Sequence, residues 1–399
     1  MNIAFITPEY ITEPNFHGGL ANYLSRVAQG LLALHHHPIV IVAAERDGYI
    51  EDRGIPVYRV QATAPWENFL SRIPVVRQMN TALRWVWQSW KLNEKLLQLH
   101  SKEHIDIVQY ASYTATALFR AKTVPSVIRL SSVQEILDKG YNRKRSLARR
   151  LLHYLDTRSV KNADRILAPS SLIARHVERG IGKHVTVLES PYLIPDGPLD
   201  VQPFRDLLSD KHYILTFGSL GVLKGIDTLA EIIHDLLSTY PHLHFVFLGK
   251  DMGFQGQSMM QHVWEMAGSH RARVLYLGIM PIPQLYPIIQ GADLVVLPSK
   301  VDNLPNTCIE AMALGKIVIG TLGASFEQLI ENNVNGFLCS IDDSESLRKT
   351  IEKALALDEH TLQLMGQNAA QRIEHLRPER VVRDLVDLYR EVLDQKWNL

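Results

Sequence analysis

The chain has 399 residues, of which 46% are hydrophobic, and its 42 basic and 42 acidic residues balance to a formal net charge of zero. That length exceeds the roughly 100 to 200 residues one core organises, so two domains are expected, and a neutral balance gives no global field for nucleic acid. Two cysteines, Cys308 and Cys339, form neither a disulfide framework nor a paired metal-ligand spacing, which suits a reducing, cytoplasmic setting.

The first apolar run, Ile3 to Thr7, is too short and too early for a secretory signal and lacks a basic leader, so it reads as a core strand. After it, HGGLANYLSRVAQGLL sets Gly18 and Gly19 before an amphipathic helix. Further strands are predicted at Ile39 to Ala43, Val57 to Val60, Ile107 to Gln109, Ser126 to Leu130, Arg165 to Ala168 and Val185 to Leu188. The run His35 to His37 precedes Pro38, and three adjacent side chains point in different directions, so it reads as a surface loop rather than a metal site. LRWVWQSWKLNEKLL and KGYNRKRSLARRLLHYL mix basic with apolar residues and read as helices with solvated basic faces. Peripheral contact with the inner face of the plasma membrane is the second reading of both.

SPYLIPDGPLDVQP carries prolines and a glycine that mark a hinge, placing the domain boundary near Leu193. The pattern restarts with strands at Tyr213 to Phe217, His244 to Leu248, Val274 to Leu277, Leu294 to Leu297, Ile317 to Gly320 and Gly336 to Cys339. From Arg377 onward Val381, Val382, Leu385, Leu388, Tyr389 and Val392 fall at helical spacing. No stretch approaches the roughly 18 apolar residues of a membrane span. Strands alternating with helices predict an α/β fold: two facing Rossmann-like domains, 1–193 and 194–376, with an interdomain cleft. A C-terminal helix follows over 377–399, and the first domain is one candidate for its docking site.

The sharpest motif is LVVLPSKVDNLPNTCIEAMALGKIVIGTLGASFEQLI, a buried strand, a loop and a helix beginning near Pro305. Asp302 before the helix and Glu310 on its second turn can face one ligand from two sides, and free amides near Asn306 and Thr307 offer donors to hydroxyls or phosphate. The spacing alone is equally compatible with an N-terminal cap and a solvated helix residue. A second element, ILTFGSLGVLKGIDTLAEII, is a strand, a glycine turn and a helix with Lys224 directly before Gly225; the lysine suits a diphosphate, although a lone lysine near a glycine is commonly a surface residue. Gly18 and Gly19 let amides approach a phosphate, and the helix behind them adds about half a positive charge. In VPSVIRLSSVQEI, Arg129, Ser131 and Ser132 are local candidates for active-site groups, the alternative being a structural ion pair and a helix cap.

PSKVDNLPNTCIEAMALGKIVIG resembles the donor-binding signature of the family 4 glycosyltransferases, retaining enzymes of the two-Rossmann-domain B-type fold. The resemblance implies that Glu310 holds the nucleotide ribose and that Asp302, where the family usually has Glu, holds the donor sugar with the amides of Asn306 and Thr307. It places the Gly18 and Gly19 loop and Lys224 at the diphosphate, and the loops at Gly249 and at Gly278 to Met280 around the base, a uracil in this reading. Three departures stand out: Pro305 replaces a glycine and removes an amide donor, Ser219 replaces an arginine, and Ser131 replaces a histidine near the reacting carbon. Glu327 is expected to support the loop beside the donor.

The implied activity is metal-independent, retaining transfer of a hexose from a nucleotide diphosphate sugar, UDP-glucose type favoured, to a glycan or lipid-linked saccharide. Exopolysaccharide or envelope polysaccharide assembly is the implied setting, with no cofactor and no nucleic-acid partner. The chain has no Asp-x-Asp motif, and the leaving phosphate oxygen can itself accept the acceptor proton, with charge stabilised by Lys224, amides and helix termini. The alternatives are a nucleotide-sugar epimerase of the same fold and a non-catalytic nucleotide-sugar-binding scaffold.

Overall fold

A computed structural model describes residues 1–14, 19–64, 74–131, 133–140, 146–192 and 197–397. The chain forms two compact units, Met1–Pro191 together with Pro378–Leu399, and Tyr192–Arg377. The boundary expected near Leu193 lies outside the described residues.

The first unit holds β1 (Asn2–Thr7), β2 (His37–Ala44), β3 (Gly48–Asp52), β4 (Ile55–Gln61), β5 (Ile107–Ala111), β6 (Ser126–Arg129), β7 (Arg165–Ala168) and β8 (Val185–Val187). They form one sheet in the order β3-β4-β2-β1-β5-β6-β7-β8. All pairs are parallel except β3 with β4. Parallel strands covered on both faces need apolar side chains on both, and Ile3, Ala4, Phe5 and Ile6 of β1 are all fully buried.

β3 was not expected from the sequence. It is a short antiparallel edge strand joined to β4 by a turn in which Arg53 and Gly54 both have positive φ.

The C-terminal helix Pro378–Trp397 belongs to the first unit. Val382, Leu385, Val386 and Tyr389 enter the same core as Val27, Ala28 and Leu31 of the helix Gly19–Ala33. The contact is close because Gly30 has no side chain: a Cβ there would stand 2.7 Å from Val382 Cγ2. Tyr389 Oη donates to Gln109 Oε1 at 2.7 Å, satisfying a fully buried phenol.

The second unit holds β9 (His212–Phe217), β10 (Leu243–Leu248), β11 (Val274–Tyr276), β12 (Leu294–Val296), β13 (Val318–Thr321) and β14 (Phe337–Cys339). Its all-parallel order is β11-β10-β9-β12-β13-β14. β10 and β11 lie on one side of β9, and β12 to β14 lie on the other. The order therefore reverses between β9 and β12, and loops leaving two such strands diverge and open a crevice at their carboxyl ends.

Among the described residues, no helix is long and apolar enough to cross a membrane, and no group of three His, Cys, Asp or Glu is placed to hold a metal ion. His35, in the run ahead of Pro38, is an exposed turn residue with φ 60°.

Candidate functional site

The loops after β9 and β12 interlock in the second unit. After β9 the chain passes Gly218 to Gly221, makes a 3₁₀ turn over Val222–Lys224, and enters the helix Ile226–Thr239 through Gly225 at φ 66°. The loop after β12 crosses over that turn, and the amides of Lys300 and Val301 both donate to Leu223 O, at 2.9 and 3.3 Å. Gly225 is required by both its backbone and its neighbour, since a Cβ there would lie 1.9 Å from Pro298 O. Gly218 similarly lets the β9 loop approach the helix Asn306–Ala313, where a Cβ would meet Thr307 Cγ2 at 3.2 Å.

This packing brings together residues far apart in sequence. Lys224 Nζ forms an ion pair with Asp302 Oδ2, with the lysine side chain 36% exposed and the aspartate only 12%. Asp302 O accepts from Ser325 Oγ at 3.2 Å, and Ser299 O accepts from Thr321 Oγ1, so the loop after β13 props the loop that carries the acid. The helix Asn306–Ala313 begins after Pro305 with no side-chain cap, leaving the amides of Asn306 and Thr307 directed out of the helix start. Asn306 Oδ1 is buried and accepts no hydrogen bond among the described residues. Glu310 stands half-buried on the second turn of the same helix. One cation, two acids, free amides and an orphan acceptor thus gather at the reversal point of the sheet.

The other expected residues of this unit lie along the same carboxyl edge. Gly249 follows β10 with φ 133°, and a Cβ there would stand 1.8 Å from Gly218 O, so the ends of β9 and β10 meet backbone to backbone. Its amide donates to Gly278 O at 2.6 Å, and its carbonyl accepts from Tyr276 Oη at 2.9 Å. Gly278 has φ 69°, and Met280 is half-buried behind it. Ser219 is exposed. Glu327 accepts from the Gly323 amide at 3.2 Å and so closes the turn after β13.

Sequence reasoning missed a second lysine. Lys300 Nζ bridges Asp227 Oδ2 at 2.9 Å and Asp342 Oδ1 at 2.5 Å, and Thr228 Oγ1 donates to the same Asp342 oxygen at 3.1 Å. The clamp ties the start of the helix behind Lys224 to the loop that bears Asp302 and to the segment after β14. Nothing in the local sequence signals it, because its members come from three loops. Its hydrogen bond from Lys300 holds the Asp342 carboxyl below the usual carboxylate range. A depressed carboxylate stabilises the fold above its unfolded pKa, so this contribution is whole at neutral pH and fades as pH falls from about 4 through the depressed value. Lys300→Met is expected to cost about 1 to 3 kcal/mol at neutral pH by leaving Asp227 without its cation, and less in acid. Chemical denaturation of both proteins at the two pH values measures the difference.

Both cysteines are structural. Cys308 lies fully buried on the helix Asn306–Ala313, where burial and then the Asp302 charge push its thiol well above the usual range. Burial pushes the Cys339 thiol up to about 12. Since the thiolate is the reactive form, neither cysteine should react with a disulfide reagent at neutral pH until denaturant is added, which a colorimetric thiol assay reads directly.

In the first unit Gly18 and Ser132 lie outside the described residues, and Gly19 opens the helix Gly19–Ala33. Ser131 follows β6, and its amide donates to Ser112 Oγ at 3.1 Å, with the two hydroxyls 3.5 Å apart. Arg129 ends β6. Its side chain is buried, with its guanidinium over the Tyr23 ring at 3.9 Å, donating to Leu188 O at 2.8 Å and to Ser190 Oγ at 2.9 Å. Arg129 therefore fastens β6 to the 188–190 segment, the structural alternative to its candidacy as an active-site group. A strand covered on both faces hides from the sequence which side chain stays inside.

Two family patterns match the chain: a glycosyl transferase 4-like domain over residues 18–189 and the glycosyl transferases group 1 domain over residues 202–372. A curated relative, the D-inositol 3-phosphate glycosyltransferase of Corynebacterium urealyticum, is 26% identical over 179 residues. The match covers 44% of this chain and 42% of that protein, so it spans under half of the relative's length. Among solved structures, a sucrose-phosphate synthase from Thermosynechococcus elongatus superposes with a TM-score of 0.75 at 18% identity, covering 99% of this chain and 100% of that one. Anabaena HepE in complex with UDP-glucose gives a TM-score of 0.71 at 19% identity, covering 98% and 100% of the two chains. At these identities the structural likeness concerns the fold.

Proposed function

From a chain that belongs to the group 1 glycosyl transferases, with a 4-like domain ahead of that region, we propose retaining transfer of a hexosyl group from a nucleoside diphosphate sugar to a glycan or lipid-linked saccharide. The observation that carries this reading is the Lys224–Asp302 pair at the sheet reversal, facing an uncapped helix that bears Glu310. Lys224 meets the diphosphate, Asp302 and Asn306 take donor-sugar hydroxyls, and Glu310 takes the ribose. Asn306 Oδ1, buried and without a partner among the described residues, supports the sugar role, because an orphan acceptor costs free energy until a donor such as a hydroxyl satisfies it. The backbone at Gly249, Gly278 and Met280 surrounds the base. A UDP-glucose-type donor is favoured, in line with the ligand of Anabaena HepE.

The chemistry asks little of side-chain bases. The bond from the anomeric carbon to the phosphate oxygen breaks, the acceptor oxygen bonds to that carbon on the same face, and the acceptor proton passes to the leaving phosphate oxygen. Lys224 and the amides of Asn306 and Thr307 stabilise the charge that accumulates there, so the reading includes no resident metal or cofactor. Lys224 pairs with Asp302; a bound diphosphate competes for the lysine and releases the carboxylate to the sugar. Ser131 supplies a hydroxyl at the end of β6.

The exposed Ser219, where the family resemblance implies an arginine, favours a second reading: a scaffold that binds the donor without turning it over. Incubation with UDP-glucose and candidate saccharides separates the outcomes. Free UDP with a product of unchanged anomeric configuration by proton NMR supports retaining transfer, whereas inverted product contradicts it. A changed sugar indicates an epimerase, and binding without release indicates the scaffold.

A further inference from the structure

The first unit carries a cavity of about 860 Å³ at the opposite edge of its sheet from the loops described above. Its walls come from residues immediately before β6, β7 and β8, joined by the end of the helix Leu147–Asn162 and one face of the C-terminal helix. The four residues of β6 span roughly 13 Å at about 3.3 Å each, so the cavity is separate from the carboxyl ends where Ser131 lies.

Its charge is one-sided. Among the described residues, Arg120, Lys122, Arg158, Lys161 and Lys183 line it against a single acid, Asp164, in a chain whose formal net charge is zero. That acid is already satisfied: Arg120 takes both of its oxygens at 2.9 Å, and the Ser126 amide and hydroxyl add bonds at 2.9 and 2.8 Å. Arg158, Lys161 and Lys183 make no ion pair among the described residues. Lys183 Nζ is held in place by the carbonyls of Lys161 and Ala163, at 2.6 and 3.3 Å. Its position is thus fixed before any ligand arrives, which lowers the ordering cost of binding. Phe119, 46% exposed, forms an apolar wall beside the cations with Leu118 and Val392.

We propose that this cavity is a second binding site, for a phosphate-bearing anion whose apolar or ring portion lies against Phe119. Clustered cations around a concavity attract a multiply charged phosphate, and Arg and Lys donors form the stronger charge-assisted hydrogen bonds with it. The site is independent of the donor reading, since none of its residues belongs to the second unit. The ligand is a soluble phosphate ester or the headgroup of an anionic phospholipid.

Inorganic pyrophosphate is the first probe, titrated by calorimetry into the wild type, into Lys224→Ala, and into the surface double variant Arg158→Gln/Lys161→Gln. Lys224→Ala removes competing binding in the second unit, so the expected pattern is binding that survives Lys224→Ala and weakens at least about tenfold in the double variant, consistent with loss of charge-assisted bonds. Co-sedimentation with phosphatidylcholine vesicles with and without phosphatidylglycerol distinguishes the sources: capture that depends on both the anionic lipid and the two cations assigns the headgroup, and its absence assigns the soluble ester. Should the double variant fail to fold, each single change at these exposed positions gives the same reading. Pyrophosphate binding and vesicle capture that are both indifferent to Arg158 and Lys161 would overturn the proposal.

Discussion

Lys224→Ala is expected to lower kcat/KM for the donor by about ten to a hundredfold while leaving the fold intact. A hydrogen bond to a charged group is worth roughly 1.5 to 3 kcal/mol, and every 1.4 kcal/mol is tenfold. The loss should appear in turnover as well as in affinity, because the charge that Lys224 meets grows as the diphosphate departs. Stability should fall by about 1 to 3 kcal/mol, because the Asp302 left without its cation is only 12% exposed. Lys224→Arg keeps the charge and should recover part of the rate. Steady-state kinetics beside a melting curve tests the point: unchanged kcat/KM in a folded Lys224→Ala removes the lysine from the reaction.

Gly225→Ala should damage the second unit more than any surface change there. The residue has φ 66°, which costs an ordinary residue about 1 to 2 kcal/mol. The added Cβ would also fall 1.9 Å from Pro298 O, and that atom is backbone, so a side-chain rotation cannot relieve the overlap. Displacing a packed loop adds roughly 1 to 3 kcal/mol. A total near 3 kcal/mol corresponds to a fall in melting temperature of about 6 to 12 °C for a unit of this size. Donor binding should weaken in parallel, because the displaced carbonyl lies on the segment leading to Asp302. A melting temperature within a degree or two of wild type would mean that the two loops do not approach as described.

Much of the architecture was legible in the sequence, and the reason is burial. Parallel strands covered on both faces must be short apolar runs, so β1, β9 and β12 announced themselves within a residue or two of their observed ends. β3 did not, because Gly48–Asp52 pairs on one edge only and Tyr49 remains 54% exposed, leaving no apolar run to read. The second-unit site was legible as separate motifs, yet the Lys224–Asp302 contact spans 78 positions and follows from the neighbouring placement of β9 and β12. The Lys300 clamp was invisible for the same reason. Arg129 stayed open between two roles because strand position alone cannot tell a cation that points inward, onto Tyr23, from one that meets a ligand.

The assignment of a donor site to the second unit is tested most directly by calorimetric titration of UDP, GDP and ADP, without added metal, into the wild type and into Glu310→Ala. The expected result is selective binding of UDP that weakens by about ten to a hundredfold in the variant. Absence of nucleotide binding by the wild type, or wild-type affinity in a folded Glu310→Ala, would contradict the assignment.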